Sequence, residues 1–412
     1  MTPRRRGSRD ALVGHLARSA VTRREFLRRM GGAGAMLVAG PTLLAACGGE
    51  QAAGCEFTTT NIGDNRTLNF ANWPFYIDVV EDGFFETTSI QDFESETGID
   101  VNYLEEVNDN DQWFAKVQAQ LSQCQDIERD LTVLTDWMAA RFIRLGWAEQ
   151  IDKSNVPNWV NLVDSLKSPG FDPNRDYTLP WQSGMTAIGY NPQLTGRELT
   201  SINDIFDPAF AGRVTMLTEM RDTMGLVMLG MGIDPSEATV DDARAAAQKI
   251  KEHRENGHIR RFTGNDYTED LASGNVVAAF AWSGDVIQLQ ADNPDLRFLI
   301  PEEGLMLWSD NMLIPGGARN KTAAETWMNY VYQPRVAAKI ESWVNFICPV
   351  KGAREAMIEL GEEIGDEELI ALADDPLIFP DDETLAKTHI FKNLDEEEER
   401  EFNELFQDAI GA

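Results

Sequence analysis

The sequence predicts an α/β protein of two lobes behind a processed leader, and three observations carry the prediction. Short apolar runs alternate with amphipathic segments of helical period along most of the 412 residues, the pattern of mainly parallel sheets with helical crossovers. Two longer apolar runs, 179–190 and 304–315, are placed to cross from one lobe to the other and back. A hydrophobic share of 43%, with aromatic residues spread along the chain, fills cores and argues against disorder.

The first 46 residues stand apart in charge. They hold nine Arg against one Asp and one Glu, a net of +7, so the whole-chain −32 becomes −39 beyond them. So acidic a protein repels phosphate backbones and anionic head groups, which argues against nucleic-acid and peripheral-membrane functions and favours cationic solutes. Thr22-Arg-Arg-Glu-Phe-Leu-Arg28 precedes a Gly/Ala-rich apolar stretch that ends in Leu44-Ala-Ala-Cys47. A basic start, a short apolar core and small residues at the cut make a secretory signal. The paired arginines resemble a twin-arginine signal, and Leu-Ala-Ala-Cys resembles a lipobox, which makes Cys47 the lipidated N-terminus and lipid anchor. The alternative, a retained membrane anchor, needs a longer apolar span. Residues 47–65 follow as a flexible tether. Export implies an oxidising compartment, where Cys55 and Cys124 can pair, whereas Cys348 reads as buried.

Taken in order, residues 67–72 read as a strand that delivers Trp73 and Tyr76 to a loop at its carboxyl end. A helix at 90–97, a strand at 99–103 and a helix at 112–122 follow. The strand at 130–134 runs into Thr135-Asp-Trp137 and a helix. The turn-rich Phe171-Asp-Pro-Asn-Arg-Asp-Tyr177 precedes the first crossing. In the second lobe a strand at 213–217 leads to Glu219 and Asp222, a helix at 240–253 is capped by Thr239, and a strand at 276–282 ends on Trp282. The second crossing carries Trp308 and Asp310, and helices at 322–331 and 334–343 complete the core. The acidic run 395–401 reads as a solvated helix face. This divides the mature chain into lobe 1, 66–183 with 310–351, and lobe 2, 184–309 with 352–412. No internal repeat is visible.

Asp310 is the anomaly of the pattern. A carboxylate inside an apolar run needs a partner, so it either caps a turn between two short strands or meets a cation. Loops beyond the carboxyl ends of strands are where α/β sheets bind ligands. Here they carry Trp73 and Tyr76, Asp136 and Trp137, Glu219 and Asp222, Trp282, and Trp308 with Asp310. Aromatic faces combined with carboxylates form a slot for an organic ammonium. Each acid also fits an ordinary helix N-terminus, and Glu219 with Asp222 could form a glycosidase pair. His253, His258 and His389 assemble no triad or metal motif, and Asn108-Asp-Asn-Asp111 lacks the Gly and closing Glu of a calcium loop, so no metal and no cofactor are expected.

From Leu68 to about Ala386 the chain resembles the periplasmic spermidine/putrescine-binding proteins of ABC transporters. The resemblance rests on Asn72-Trp73 with Tyr76, Glu96-Thr-Gly-Ile99, the Phe171–Pro180 stretch and Thr186-Ala-Ile-Gly-Tyr-Asn191. It continues in Trp282-Ser-Gly284, Glu303-Gly304, Trp308-Ser-Asp310 and Phe379-Pro-Asp-Asp-Glu-Thr384. It implies a type II periplasmic-binding-protein fold, with two α/β lobes joined by a hinge and the ligand cleft between them. It also implies a monomeric, extracytoplasmic protein that captures putrescine or spermidine for an ABC permease without turnover. Another small solute, such as an amino acid or an oligosaccharide, is the alternative on the same fold, and a hydrolase the alternative of another class. By the same resemblance Trp73, Tyr76, Trp137, Trp282 and Trp308 match an aromatic box, and Asp310, Glu219 and Asp222 match ammonium-binding carboxylates. Phe346 stands where the family tends to place a Tyr, and Thr135 where it has a Ser. The family's acid between the first Trp and Tyr is replaced by Pro74-Phe75, and a late Gln is replaced near 389–391. Asp136, or the insertion bearing Asp78, Glu81 and Asp82, is the expected source of the missing charge.

Overall fold

The computed structural model describes residues 56–80, 84–107 and 109–412. The leader with Cys47, the Cys55 half of the expected disulfide, and Glu81 and Asp82 lie outside the described residues. Cys124 is disulfide-bonded, and Cys348 is buried as a free thiol.

Ten strands form one twisted sheet: β1 Thr67–Asn72, β2 Asp100–Glu105, β3 Leu131–Thr135, β4 Thr178–Tyr190, β5 Val214–Leu217, β6 Ile259–Thr263, β7 Ala278–Trp282, β8 Arg297–Leu299, β9 Leu305–Leu313 and β10 Thr388–His389. The main path runs β2-β1-β3-β9-β4-β7-β5-β6, with β10 on β9 and β8 on β4. In lobe 1 the second, first and third strands lie in that order beside β9, and in lobe 2 the corresponding trio β6-β5-β7 lies beside β4. The lobes therefore share one topology, although no repeat is legible in the sequence. Within each trio the pairing is parallel, as helical crossovers require; the crossing strands run antiparallel to each other, β9 antiparallel to β3 and β4 antiparallel to β7 and β8, while the short β10 pairs parallel with β9. Helix boundaries follow local chemistry: Thr88 with Gln91 and Thr239 with Asp242 form capping boxes, and Gly98 closes its helix in the left-handed conformation.

Two cores lie on either side of the crossing. Phe70, Trp181, Trp327 and Tyr332 anchor the first; Phe280, Met228, Phe402 and Phe406 anchor the second. The helices Ala353–Ile364 and Glu367–Leu372 bury Met357, Leu360 and Leu369 in the first core, whereas the helix Glu396–Ile410 packs into the second. This differs from the division expected above, which gave everything past 352 to lobe 2. An amphipathic helix reveals that it has an apolar face but not which core receives it.

The turn at 171–177 fixes the crossing. Asp172, 3% exposed, accepts the N–H groups of Asp176, Tyr177 and Thr178 and the Thr178 hydroxyl at 2.8–3.0 Å. Arg175, held at φ +55° and 1% exposed, donates to the Leu166 carbonyl, to Thr178 Oγ1 on β4 and to Asn311 Oδ1 on β9. One guanidinium thus ties both crossing strands.

Candidate functional site

Asp310 lies in the middle of β9, so the turn-cap alternative does not hold. Thr135 is its direct neighbour on β3 and Gln182 its neighbour on β4. The carboxylate is 5% exposed and accepts the Thr135 hydroxyl at 2.7 Å and the Tyr76 hydroxyl at 2.9 Å. Among the described residues no lysine, arginine or histidine reaches it. Burial pushes its carboxyl up to about 7 against the pull of the two hydroxyls, and the nearby Asp136 and Asp222 add to the rise. Burial and the same carboxylate in turn drive the Tyr76 phenol well above its ordinary range.

The aromatic wall is built on close approaches. Phe346 meets Tyr76 edge-on at 5.6 Å and tilts against Trp308, also at 5.6 Å. It sits so near Gly284 that an added Cβ would come within 2.7 Å of its ring, and the Trp308 ring approaches the Gly184 Cβ position to 2.3 Å. Only glycine fits at either place. Trp308 donates its indole N–H to Thr186 Oγ1 at 3.0 Å, and Trp282 donates to Asp222 Oδ2 at 2.9 Å. Trp73 turns its N–H to the Val133 carbonyl at 3.1 Å and offers ring surface only. Phe75, at φ +58°, bends the chain between Trp73 and Tyr76.

The remaining acids divide. Asp222, 6% exposed, is pushed up to about 6 by burial, although Trp282 and Thr186 hold it down. Burial, then the Asp222 charge, carries the half-buried Glu219 to about 8, with Arg221 pulling the other way. Asp136 is also raised to about 6 by burial, but it accepts Asn311 Nδ2 at 2.7 Å and feels Arg175, so it belongs to the crossing network; the expectation that it supplies a free ammonium anchor is corrected. Asp78 is likewise committed, to the backbone and hydroxyl of Ser89. Trp137 also differs from expectation: Arg221 lies over its ring at 4.1 Å and Arg141 at 5.1 Å, the ring itself belonging to lobe 1 and Arg221 to lobe 2. Both guanidiniums pair with Glu399, at 2.9 and 3.0 Å. A hollow of about 240 Å³ beside them is lined by Arg144, Arg221 and Glu399 as well as Trp137, a setting that repels a cation. Sequence reasoning missed Asp285, 5% exposed, which accepts the Tyr267 hydroxyl at 2.8 Å and whose charge reaches Tyr76. As an acid in a first helical turn it carries no signal beyond that of a cap.

Asp310 of the crossing and Tyr76 of the first lobe therefore lie within electrostatic reach of Asp222 and Asp285 of the second, where Trp282 is bonded to Asp222. A family profile described as bacterial extracellular solute-binding protein matches residues 88–367. The chain belongs to that family. Among similar proteins, this solute-binding protein is 28% identical over 331 residues to the spermidine/putrescine-binding periplasmic protein of Salmonella typhimurium, covering 80% of this chain and 88% of that one. It is 26% identical over 374 residues to a putrescine-binding periplasmic protein of Pseudomonas aeruginosa, covering 86% and 94%. Its fold superposes on a spermidine/putrescine ABC transporter protein of Listeria monocytogenes with a TM-score of 0.71 at 26% identity, over 84% of this chain and 98% of that one.

Proposed function

We propose that this solute-binding protein captures a polyamine, putrescine or spermidine, between its lobes and delivers it to an ABC permease without chemical turnover. The observation that carries the reading is Asp310: a buried carboxylate held by two hydroxyls, with no cation of the chain among the described residues and an aromatic wall beside it. A ligand ammonium completes that site, each desolvated cation–π contact adding roughly 0.5–2 kcal/mol and each charge-assisted hydrogen bond about 1.5–3. Asp222 and Asp285 on the opposite lobe add negative charge around this site, in place of the acid absent between Trp73 and Tyr76. The similarity to polyamine-binding relatives supports the same reading. Calorimetric titration of the mature protein with putrescine, spermidine, amino acids and sugars tests it. Heat is expected with the diamine or triamine; binding of sugars or amino acids alone would overturn the polyamine assignment.

The reading extends to the N-terminus: Cys47 is proposed as the lipidated residue that holds the monomer at the membrane beside its permease. Cys47→Ala is expected to release the protein into the soluble fraction. If the variant still sediments with membranes, residues before Cys47 act as a retained anchor instead.

A further inference from the structure

The helix Pro334–Val344 carries a glutamate that none of the site chemistry above uses. Glu341 is fully buried, and neither carboxylate oxygen has a hydrogen-bond partner. Other buried acids show how unusual this is: Glu325, 1% exposed, is held by Lys321, the Asp152 N–H and Asn155, and Asp130, 2% exposed, by Asn69 and Asn320. Glu341 lies in the same apolar cluster region as Tyr76, Trp181, Ile340 and Phe346. Burial drives its carboxyl well above the usual carboxylate range, and the Phe346 N–H and the Gln182 amide pull the other way without reaching hydrogen-bond geometry. Gln182 stands directly opposite Asp310 in the β4–β9 register, and its own Oε1 is also unbonded. Asp310, Gln182 and Glu341 thus form a polar strip through an otherwise apolar wall, and its far end lacks a partner.

We propose that Glu341 is a second anionic anchor of the cleft, taking the ammonium at one end of a polyamine whose other end lies on Asp310. The proposal rests on the polyamine reading and adds to it the residue that distinguishes a ligand with two ammonium groups from one with a single group. An uncompensated carboxylate in an apolar core is disfavoured, and no cation of this chain among the described residues reaches it, so the compensating charge comes with the ligand. In the empty protein burial keeps the proton on the carboxyl. When the ammonium arrives, the O–H bond breaks, the proton leaves to solvent, and the carboxylate accepts an N–H of the ligand. The titratable groups around Glu341 are Tyr76 and Cys348, with Asp310 and Asp285 beyond Tyr76.

The test compares putrescine with butylamine, which has one ammonium group. In Glu341→Gln, putrescine affinity is expected to fall at least tenfold while butylamine affinity stays within threefold of the parent. Equal putrescine affinity in parent and variant would overturn the inference and leave the polyamine reading standing, whereas a parent that binds neither amine overturns that reading itself. A second measurement, on the parent alone, covers a variant that fails to fold. Titration with putrescine at a pH of about 8.5, in buffers of different ionisation enthalpy, is expected to release more protons than titration with butylamine, since Asp310, Asp222 and Glu219, at about 7, 6 and 8, contribute alike to both. Equal proton release with the two amines also overturns the proposal.

Discussion

Asp310→Asn is expected to lower polyamine affinity at least about a hundredfold. The substitution keeps the shape and an acceptor for the Thr135 or Tyr76 hydroxyl, and removes only the charge. Breaking one partner of a buried ion pair costs about 3–5 kcal/mol, and about 1.4 kcal/mol is tenfold in affinity. Unliganded stability should be unchanged or higher, because the empty site no longer strands a carboxyl. The pH dependence follows with a definite sign. Its folded-state carboxyl sits at about 7, above the ordinary 3.8, so the empty protein holds a proton that the unfolded chain has released. That contribution is complete below the lower value and is lost as pH rises through the higher one. Between about pH 4 and 7 the parent should therefore lose thermal stability relative to Asp310→Asn, while its polyamine affinity rises over the same window. Calorimetry on both proteins checks this; polyamine binding by the variant within threefold of the parent would remove Asp310 from the role of principal anchor.

Arg175→Met is expected to destabilise the protein by about 3–5 kcal/mol, the largest folding effect of any single change considered. The methionine fills much of the volume but leaves the Leu166 carbonyl, Asn311 Oδ1 and Thr178 Oγ1 without their donor. It also strips Asp136 and Asp172 of the nearby positive charge. Arg175→Lys should recover little, since one ammonium cannot copy a planar fork aimed at three acceptors. Urea unfolding of the mature protein measures the loss. A change below about 1 kcal/mol would show that the two crossing strands hold their register without it.

The parts of this architecture that were legible in the sequence were those written as local pattern. The two crossings are long apolar runs, and Asp310 was conspicuous because it interrupts one of them. The aromatic residues at strand ends could be located because the strands were. What stayed hidden depends on contacts between distant segments. Trp137 reads as a ligand face until Arg221 is seen over it, and Asp136 reads as a spare carboxylate until Asn311 is found on it. Asp285 and Glu341 lie on helices, where acidic residues are ordinary, so only burial sets them apart. The shared topology of the lobes lies in strand order, which can recur with no trace of sequence repetition.

The ladder between β4 and β9 also governs how the molecule can move. Thr178–Thr186 and Met306–Leu313 pair across the passage between the lobes, interrupted by one register shift near Pro180. Two strands bonded along their length resist sliding and in-plane bending, and their soft coordinate is twist. The joint is therefore a torsion ribbon rather than a ball joint. A lobe motion that kept these bonds would be a rotation about the ribbon, and the third passage, from the helix Glu367–Leu372 in the first core to the helix Glu396–Ile410 in the second, would have to follow it.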